Sequence, residues 1–520
     1  MLNSKPNNLL SYAMLIGLLI VFFIVKLEYI ALPYFWDEAW VYGHAVNYFI
    51  ESGIRLFPNE ASVEYTRGHP MFFTYICSLW GRLTSNSPYQ IHFFVQWLSI
   101  FYLGFVFFKS RQWVHSFFAF GLILMYIANE AFFVQSHLVL PEVTLAFGLT
   151  VALIAFIQKN NFLFVLSYIA ALYTKESAIV LLPVLAIYTL FIERPLSLQK
   201  WLERFKYVLL SLGIGFIHYL VQKIQFGWFL YPFHVEIMEF SMFTYNEQFR
   251  AFVTDHFLSN AQWILTVLGW VFWLLIAIKR NTLTIKGIRL YHVYLLSSVL
   301  MVCGFNWGNG FVFATMSFFI VLAVIMKTSK FKYKAMQPFL FAACVFMACY
   351  FAFNALNFYS SRYNMPIQFW STVLLLFGVF EILFNNTKWA FGLVLIIFLS
   401  ILILRNNERG FNDVDTYYKY AVRTHQDIAN YCRDNIDPKS KINVEFLEKV
   451  VLGQPSAGYI SKEEKFSNLG YLDEPDGEYI ILSNIGTGIE AAKEKIDTAS
   501  LNLIHTIRHR RGKAEIYKQK

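Results

Sequence analysis

The sequence predicts a polytopic α-helical membrane protein carrying a small C-terminal α/β domain. Three observations lead there. Hydrophobic residues make up 57% of the 520 and charged residues only 15%, with a mean hydropathy of +0.46; a soluble chain carries about 25% charged residues. Apolar runs of roughly 17–25 residues recur, the length of a membrane-spanning helix, where a transmembrane barrel would show alternating strands of about ten. From Arg405 onward the composition turns soluble.

Taken in order, the runs place spans near 9–31, 89–108, 113–131, 138–158, 161–174, 176–193, 205–223, 260–278, 290–305, 311–326, 336–354, 364–384 and 388–404, about thirteen in all. The first run has no small-residue cleavage site and reads as a retained span. Lys and Arg concentrate in alternate connections: Lys109 and Arg111; Lys159; Arg194, Lys200, Arg204 and Lys206; Lys279, Arg280, Lys286 and Arg289; Lys327, Lys330, Lys332 and Lys334; and Lys388. By the positive-inside rule these are cytoplasmic, the N-terminus with them. The connections at 33–88, Lys175, 224–259, 306–310 and Arg362, and everything after about 405, then face the outside of a cytoplasmic (inner) membrane. The formal charge of +9 is thereby a topology signal and not a nucleic-acid footprint. Five cysteines show no metal-type spacing, and Cys432 stands by itself after 405.

The expected division is 1–404, a transmembrane catalytic domain with an outer loop at 33–88, and 405–520, an extracytoplasmic α/β domain. Within the latter, Tyr417–Asn435 has helical periodicity. Lys441–Leu447, Glu478–Ser483, Leu501–Arg508 and Lys513–Tyr517 read as strands, the last two forming a hairpin through Arg510-Arg511-Gly512. Gly486-Thr487-Gly488-Ile489-Glu490-Ala491 formally matches a dinucleotide fingerprint, but the window about twenty residues on holds Arg508, Arg510 and Arg511 in place of an acid. Cofactor binding is not expected there.

The polar chemistry gathers in the outer loop. Asp37 and Glu38 lie among Tyr34, Trp36, Trp40 and Tyr42, aromatics suited to a membrane boundary. Val41, Ala45, Val46, Phe49 and Ile50 recur at helical spacing, so Glu38–Ser52 reads as an interfacial amphipathic helix capped by Asp37 and ended by Gly53. A second helix is expected from His69-Pro70 to Arg82. A carboxylate at this depth can take a proton from an attacking hydroxyl; as an N-cap, Asp37 has a structural use as well. Glu142, after Pro141 at the entry to the fourth span, is a second acid, favoured there also by the helix dipole. Lys175 and Arg362 either snorkel to the interface or clamp a phosphate. His69, His137, His44 and His234 are weaker candidates, His69 as a third phosphate donor or a capping residue.

Trp36-Asp37-Glu38-Ala39, Gly68-His69-Pro70, Glu142, Thr174-Lys175-Glu176 and Arg362-Tyr363, in that order among spans, resemble the GT-C membrane glycosyltransferases, in particular the protein O-mannosyltransferase and lipid A aminoarabinose transferase branch. The resemblance is best over residues 10–190 and does not cover the C-terminal domain. It implies a sugar moved from a polyprenyl-phosphate donor to a lipid, glycan or protein acceptor outside the membrane. It implies Asp37 as the activating acid with Glu38 beside it. It further implies Arg362 and Tyr363 at the donor phosphate, with His69 at a position where relatives often carry Lys or His, and Glu142 as a second acid; on the reading of the residues Lys175 joins the phosphate set and His137 stands with Glu142 as second acid or acceptor contact. Met71 departs from the second proline usual after His69-Pro70. No metal ligand set is assigned, a divalent ion being compatible with the chemistry, and the partners are lipids and acceptor, not nucleic acid. The competing class is a lipid or solute transporter or flippase with an outer accessory domain. Transporters place ionisable groups at mid-membrane within broken helices, whereas here they lie at one surface.

Overall fold

The structure is a computed structural model describing residues 8–53, 63, 65–194, 197–236, 238, 241–259, 261–280, 283–285, 288–303, 309–404, 410–473, 476–486, 488–494, 496 and 500–520. The expected turn at 306–308, including Trp307, the Arg405 boundary and Thr487 lie outside these residues.

Among the described residues, nine helices are long and apolar enough to cross a membrane, and four shorter apolar helices lie between them. Each corresponds to one of the runs read from the sequence. Their burial sorts them. In an 18-residue window of the segment Ser361–Ile382, 94% of the residues are buried and the segment forms the mast of the bundle, whereas in the corresponding window of Leu9–Ile30 the share is 17%, with leucine and isoleucine facing outward. The mast is gripped by the helix Gln262–Arg280, where Gly269 leaves no space for a methyl against Leu375 and the fully buried Trp273 donates to the Leu374 carbonyl at 2.9 Å. Close helix approach of this kind is what small residues provide in lipid, where the hydrophobic effect does not draw helices together.

The connections rich in Lys and Arg are tied to one another at one end of the bundle. Lys109 donates to Gln158 at 3.3 Å, Arg204 to the Phe156 carbonyl just ahead of Lys159, and the fully buried Glu381 accepts from the Lys332 amide at 2.7 Å and pairs with Arg280. The 224–259 connection is more built than its polarity suggests. It contains the helix Met242–Leu258, which buries Phe249, Phe252, Val253 and Phe257 against the bundle.

After residue 409 the chain forms the helix Tyr418–Asn435 and a five-stranded sheet. The strands are β1 (Ile442–Val444), β2 (Leu469–Tyr471), β3 (Tyr479–Ser483), β4 (Leu501–His509) and β5 (Gly512–Gln519), in the order β2-β1-β3-β5-β4. β1 pairs parallel with β2 and β3; β5 runs antiparallel to β3 and β4. The expected β4–β5 hairpin forms, Arg510 taking φ +48 at its turn. Two features differ from expectation. The first strand stops at Val444 because a helix, Phe446–Gly453, begins within the predicted run, and β2 was not anticipated. Three-residue strands carry too little alternation to be read from sequence.

The first outer loop and the C-terminal region share one hydrophobic cluster, with Tyr34, Phe35, Ala39 and Val46 packed among Tyr418, Val422, Leu447 and Ala457. The first interfacial helix is a π-turn, Glu38–Tyr42, continued by an α-helix, Gly43–Ser52, and ends at Gly53 with φ +94, as its sequence predicts. At Gly43 an added Cβ would lie 2.5 Å from the Tyr34 ring. The second helix is Phe72–Leu83, starting after Met71; Pro70 precedes it and does not open it. Gly43→Ala is expected to lower stability by about 1–3 kcal/mol through overpacking, read as an earlier thermal unfolding midpoint of the detergent-solubilised protein.

Candidate active site

Two adjacent acids point to different places, and the backbone explains why. Trp36 occupies the left-handed region at φ +47, which costs a non-glycine residue about 1–2 kcal/mol, and is held there by its indole N–H donating to the Phe411 carbonyl at 2.9 Å. Beyond this bend Glu38 turns inward and is fully buried. Its Oε1 accepts from His92 Nε2 at 2.8 Å and the Val139 amide at 2.5 Å, and its Oε2 from the Phe35 amide at 3.2 Å. It joins the loop, the second span and the turn before Glu142. His137 is likewise fully buried, bonded to the Tyr418 hydroxyl at 2.6 Å. Neither side chain lines the cavity described next.

Asp37, Glu142, Lys175, Arg362, Tyr363 and His69 all line one cavity of about 690 Å³. Asp37 precedes the interfacial helix, but its carboxylate makes no capping bond; Oδ1 accepts from Trp40 Nε1 at 3.1 Å and Oδ2 pairs with Arg362. Arg362 stands in a single 3₁₀ turn, Ser361–Asn364, that leads into the mast helix. Its fork is shared: one terminal nitrogen goes to Asp37, the other to Asp413, and Nε lies 3.5 Å from Glu142. Glu142 also accepts from Lys175 at 2.9 Å, and the Lys175 ammonium sits 4.0 Å from the Tyr363 ring centroid. Lys175 is in extended backbone, φ −160, between two helices, which aims its stem across the cavity. Neither cation is snorkelling; both are held by buried acids.

Asp413 was not anticipated. It belongs to the segment leading into the C-terminal region, and its carbonyl accepts from Gln135 at 2.6 Å. The two acids on Arg362 differ. Burial pushes the Asp37 carboxyl up, but the Arg362 guanidinium outweighs burial and holds it below its ordinary value. Burial dominates at Asp413 and raises it. Of these two, Asp37 is therefore the one that ionises more readily.

A second cluster lines the same cavity. His69 Nδ1 is 3.0 Å from both Glu176 oxygens, the His69 and His234 rings are 4.4 Å apart, and one ligand atom from each of the three residues falls within 4.8 Å of the others. Burial first, then the neighbouring His69, lowers His234 to about 4, leaving its ring neutral. Two imidazoles and a carboxylate are a donor set suited to a divalent cation such as zinc. Glu176 carried a signal in Thr174-Lys175-Glu176, and His234 was a weak candidate. Arg67, stacked 3.8 Å over Trp40, was not identified.

Most of the remaining cavity wall is apolar, with Leu172, Ile179, Leu212, Phe216, Phe353 and Phe358, interrupted by Ser177, Asn354 and Asn357. Phe358 reaches this wall, while Trp228 and Tyr231 pack over Gly68. His44 lies in a separate cleft.

Two substitutions separate the neighbouring acids. Glu38→Ala leaves His92 and two amides without their acceptor and is expected to cost about 3 kcal/mol or more, seen as lost folded yield; Asp37→Asn is expected to keep a wild-type elution profile at neutral pH. The Asp37–Arg362 pair contributes stability at and above the ordinary Asp value of 3.8 and loses it as pH falls through the lower folded value. The acid unfolding limb of Asp37→Asn should be correspondingly flatter.

No protein-family model matches the chain, and no curated protein matches it. Among solved structures, the chain is similar to the crystal structure of ArnT from Cupriavidus metallidurans in the apo state, at 14% identity over 96% of this chain and 97% of that one, with a TM-score of 0.45. The crystal structure of the same protein bound to undecaprenyl phosphate is similar at 14% identity over 97% of each chain, with a TM-score of 0.46.

Proposed function

We propose that this protein is a GT-C-type glycosyltransferase that moves a sugar from a polyprenyl-phosphate donor to a hydroxyl of a lipid, glycan or protein acceptor. The observation that carries the reading is that one cavity holds both a cluster of cations and acids and a wall of leucine, isoleucine and phenylalanine. A phosphate with a long apolar tail matches both halves. A soluble nucleotide sugar would leave the apolar wall unused.

The chemistry follows from the residues. The donor phosphate enters beside Arg362 and Lys175 and takes guanidinium hydrogen bonds now shared among carboxylates. Asp37, released from part of its pairing, becomes more basic and accepts the proton of the acceptor hydroxyl. The hydroxyl oxygen bonds to the anomeric carbon as the bond from that carbon to the phosphate oxygen breaks. The electron pair departs on the phosphate, which Arg362 and Lys175 stabilise. A single displacement inverts the anomeric centre. Asp413 and Glu142 act as positioning residues that hold the two cations in place until the donor arrives.

In this reading the N-terminus is cytoplasmic and the cavity opens on the outer side, where 410–520 forms an extracytoplasmic cover. A flippase would use the same lipid but needs no base for an acceptor hydroxyl.

Membranes given a labelled polyprenyl-phosphate sugar and an acceptor extract should form labelled product. Asp37→Asn should lower kcat by about 10²-fold or more while donor binding persists; wild-type turnover in that variant, or translocation of lipid with no product, would refute the proposal. Arg362→Lys should raise the donor KM, because a point charge replaces a fork. The pH dependence offers a further test. The acid limb of kcat/KM, which reports free enzyme, should lie below 3.8, because Arg362 holds Asp37 down. The limb in kcat should lie higher, because bound phosphate competes for that guanidinium.

A further inference from the structure

A second cavity, of about 470 Å³, lies further along the interfacial helix that begins at Asp37, between that helix and the C-terminal region. His44, Asn47, Tyr48 and Tyr65 line one side, Gln454 and Ser456 the other. The two sides are joined at its floor, where His44 Nδ1 lies 2.9 Å from the Ser456 hydroxyl and Asn47 Nδ2 donates to the Ser456 carbonyl at 3.3 Å. That donation fixes which way the Asn47 amide faces. Its Oδ1 is then left with no partner among the described residues, although Asn47 is only 7% exposed, and Gln454 Oε1 is in the same condition. An orphaned acceptor away from water costs about 1–3 kcal/mol, which the packing of the two sides offsets.

The lining resembles neither the lipid-matched cavity nor an ordinary surface groove. Among the described residues its lining has no leucine, isoleucine, valine or phenylalanine. Tyr65 instead presents its ring to two neighbours, with centroids 4.7 Å from Tyr48 and 4.6 Å from His44. Lys462 and Lys465 stand at the rim; Lys462 is 3.6 Å from Glu51, whereas Lys465 has no ion pair among the described residues. Aromatic faces, a hydroxyl and an imidazole together suit a ligand with C–H faces and many hydroxyl groups, and Lys465, left over once Lys462 is matched by Glu51 of the same lining, adds a preference for negative charge.

Resting on the transferase reading, we propose that this cleft is an acceptor subsite that binds an anionic saccharide, one or more sugar units away from the hydroxyl that reacts at Asp37. The spacing fits. His44 to Asn47 lie seven to ten residues beyond Asp37 on one continuous helical segment, about 10–15 Å along its axis. The cleft therefore holds a neighbouring unit of an extended acceptor and not the reacting sugar. Half of its lining comes from residues 453–465, which gives the C-terminal region a role in choosing the acceptor.

The test is isothermal titration of the full-length protein in detergent with trigalacturonate as the anionic probe and maltotriose as the neutral one, alongside the product assay above. Trigalacturonate should bind more tightly than maltotriose. Tyr48→Ala and Lys465→Glu should each weaken it by about tenfold, the loss of one stacking or charge-assisted contact, and Tyr48→Phe should retain it. Lys465 is exposed, so its substitution leaves the fold intact. In the product assay these variants should raise the acceptor KM and leave the donor KM unchanged. No binding of either saccharide, or trigalacturonate binding unchanged in both Tyr48→Ala and Lys465→Glu, overturns the subsite, whether or not sugar transfer occurs. Binding that depends on Tyr48 and Lys465 in a protein that never forms product upholds the cleft and sinks the transferase reading.

Discussion

One guanidinium organises the active end of this protein. Arg362 is buried and gathers Asp37 from the first outer loop, Glu142 from the entry to a span, and Asp413 from the segment that leads into the C-terminal region. Without it, three acids would share the site with Lys175 and, at Asp37, Arg67 left to offset them, a costly arrangement in a low-dielectric site. Its location, in a 3₁₀ turn ahead of the most buried helix, gives it a rigid base. The mast thus positions the chemistry as well as the bundle.

The same constraint explains why two adjacent carboxylates have diverged in use. Glu38 has exchanged access for three hydrogen bonds that close the loop onto the bundle, whereas Asp37 keeps a cavity-facing position whose protonation is governed by Arg362. The left-handed Trp36 between span and helix makes the divergence possible. A local strain is therefore spent at the point where one acid turns into the fold and the next faces the cavity.

The C-terminal region is joined to this machinery at several levels. Asp413 reaches the arginine, Tyr418 holds His137, and Val422, Leu447 and Ala457 share a core with the first loop. Such packing leaves little freedom for the two parts to move apart without exposing apolar surface. It also creates the cleft above the interfacial helix, a feature that neither part has by itself.

The spans were legible from the sequence because lipid imposes a length of apolar helix that no soluble segment needs, and each run was matched by a helix. Lys175 and Arg362 were legible as well, because basic residues are few in the span turns that the charge pattern places outside, and Asp37 and Glu142 as acids on that same side. Glu38 and Asp37, by contrast, are indistinguishable as neighbours in sequence, and their separation depends on a backbone bend held by Phe411, far away in the chain. Asp413 lies in a polar stretch with nothing to set it apart, and the pairing of His69 with Glu176 and His234 joins three loops. Composition and periodicity therefore determined by themselves that this chain crosses a membrane many times and where its charges lie along it. Which of those charges meet was decided only by tertiary packing, because a contact between distant segments is made by the burial of the residues between them and leaves no periodic trace in either one.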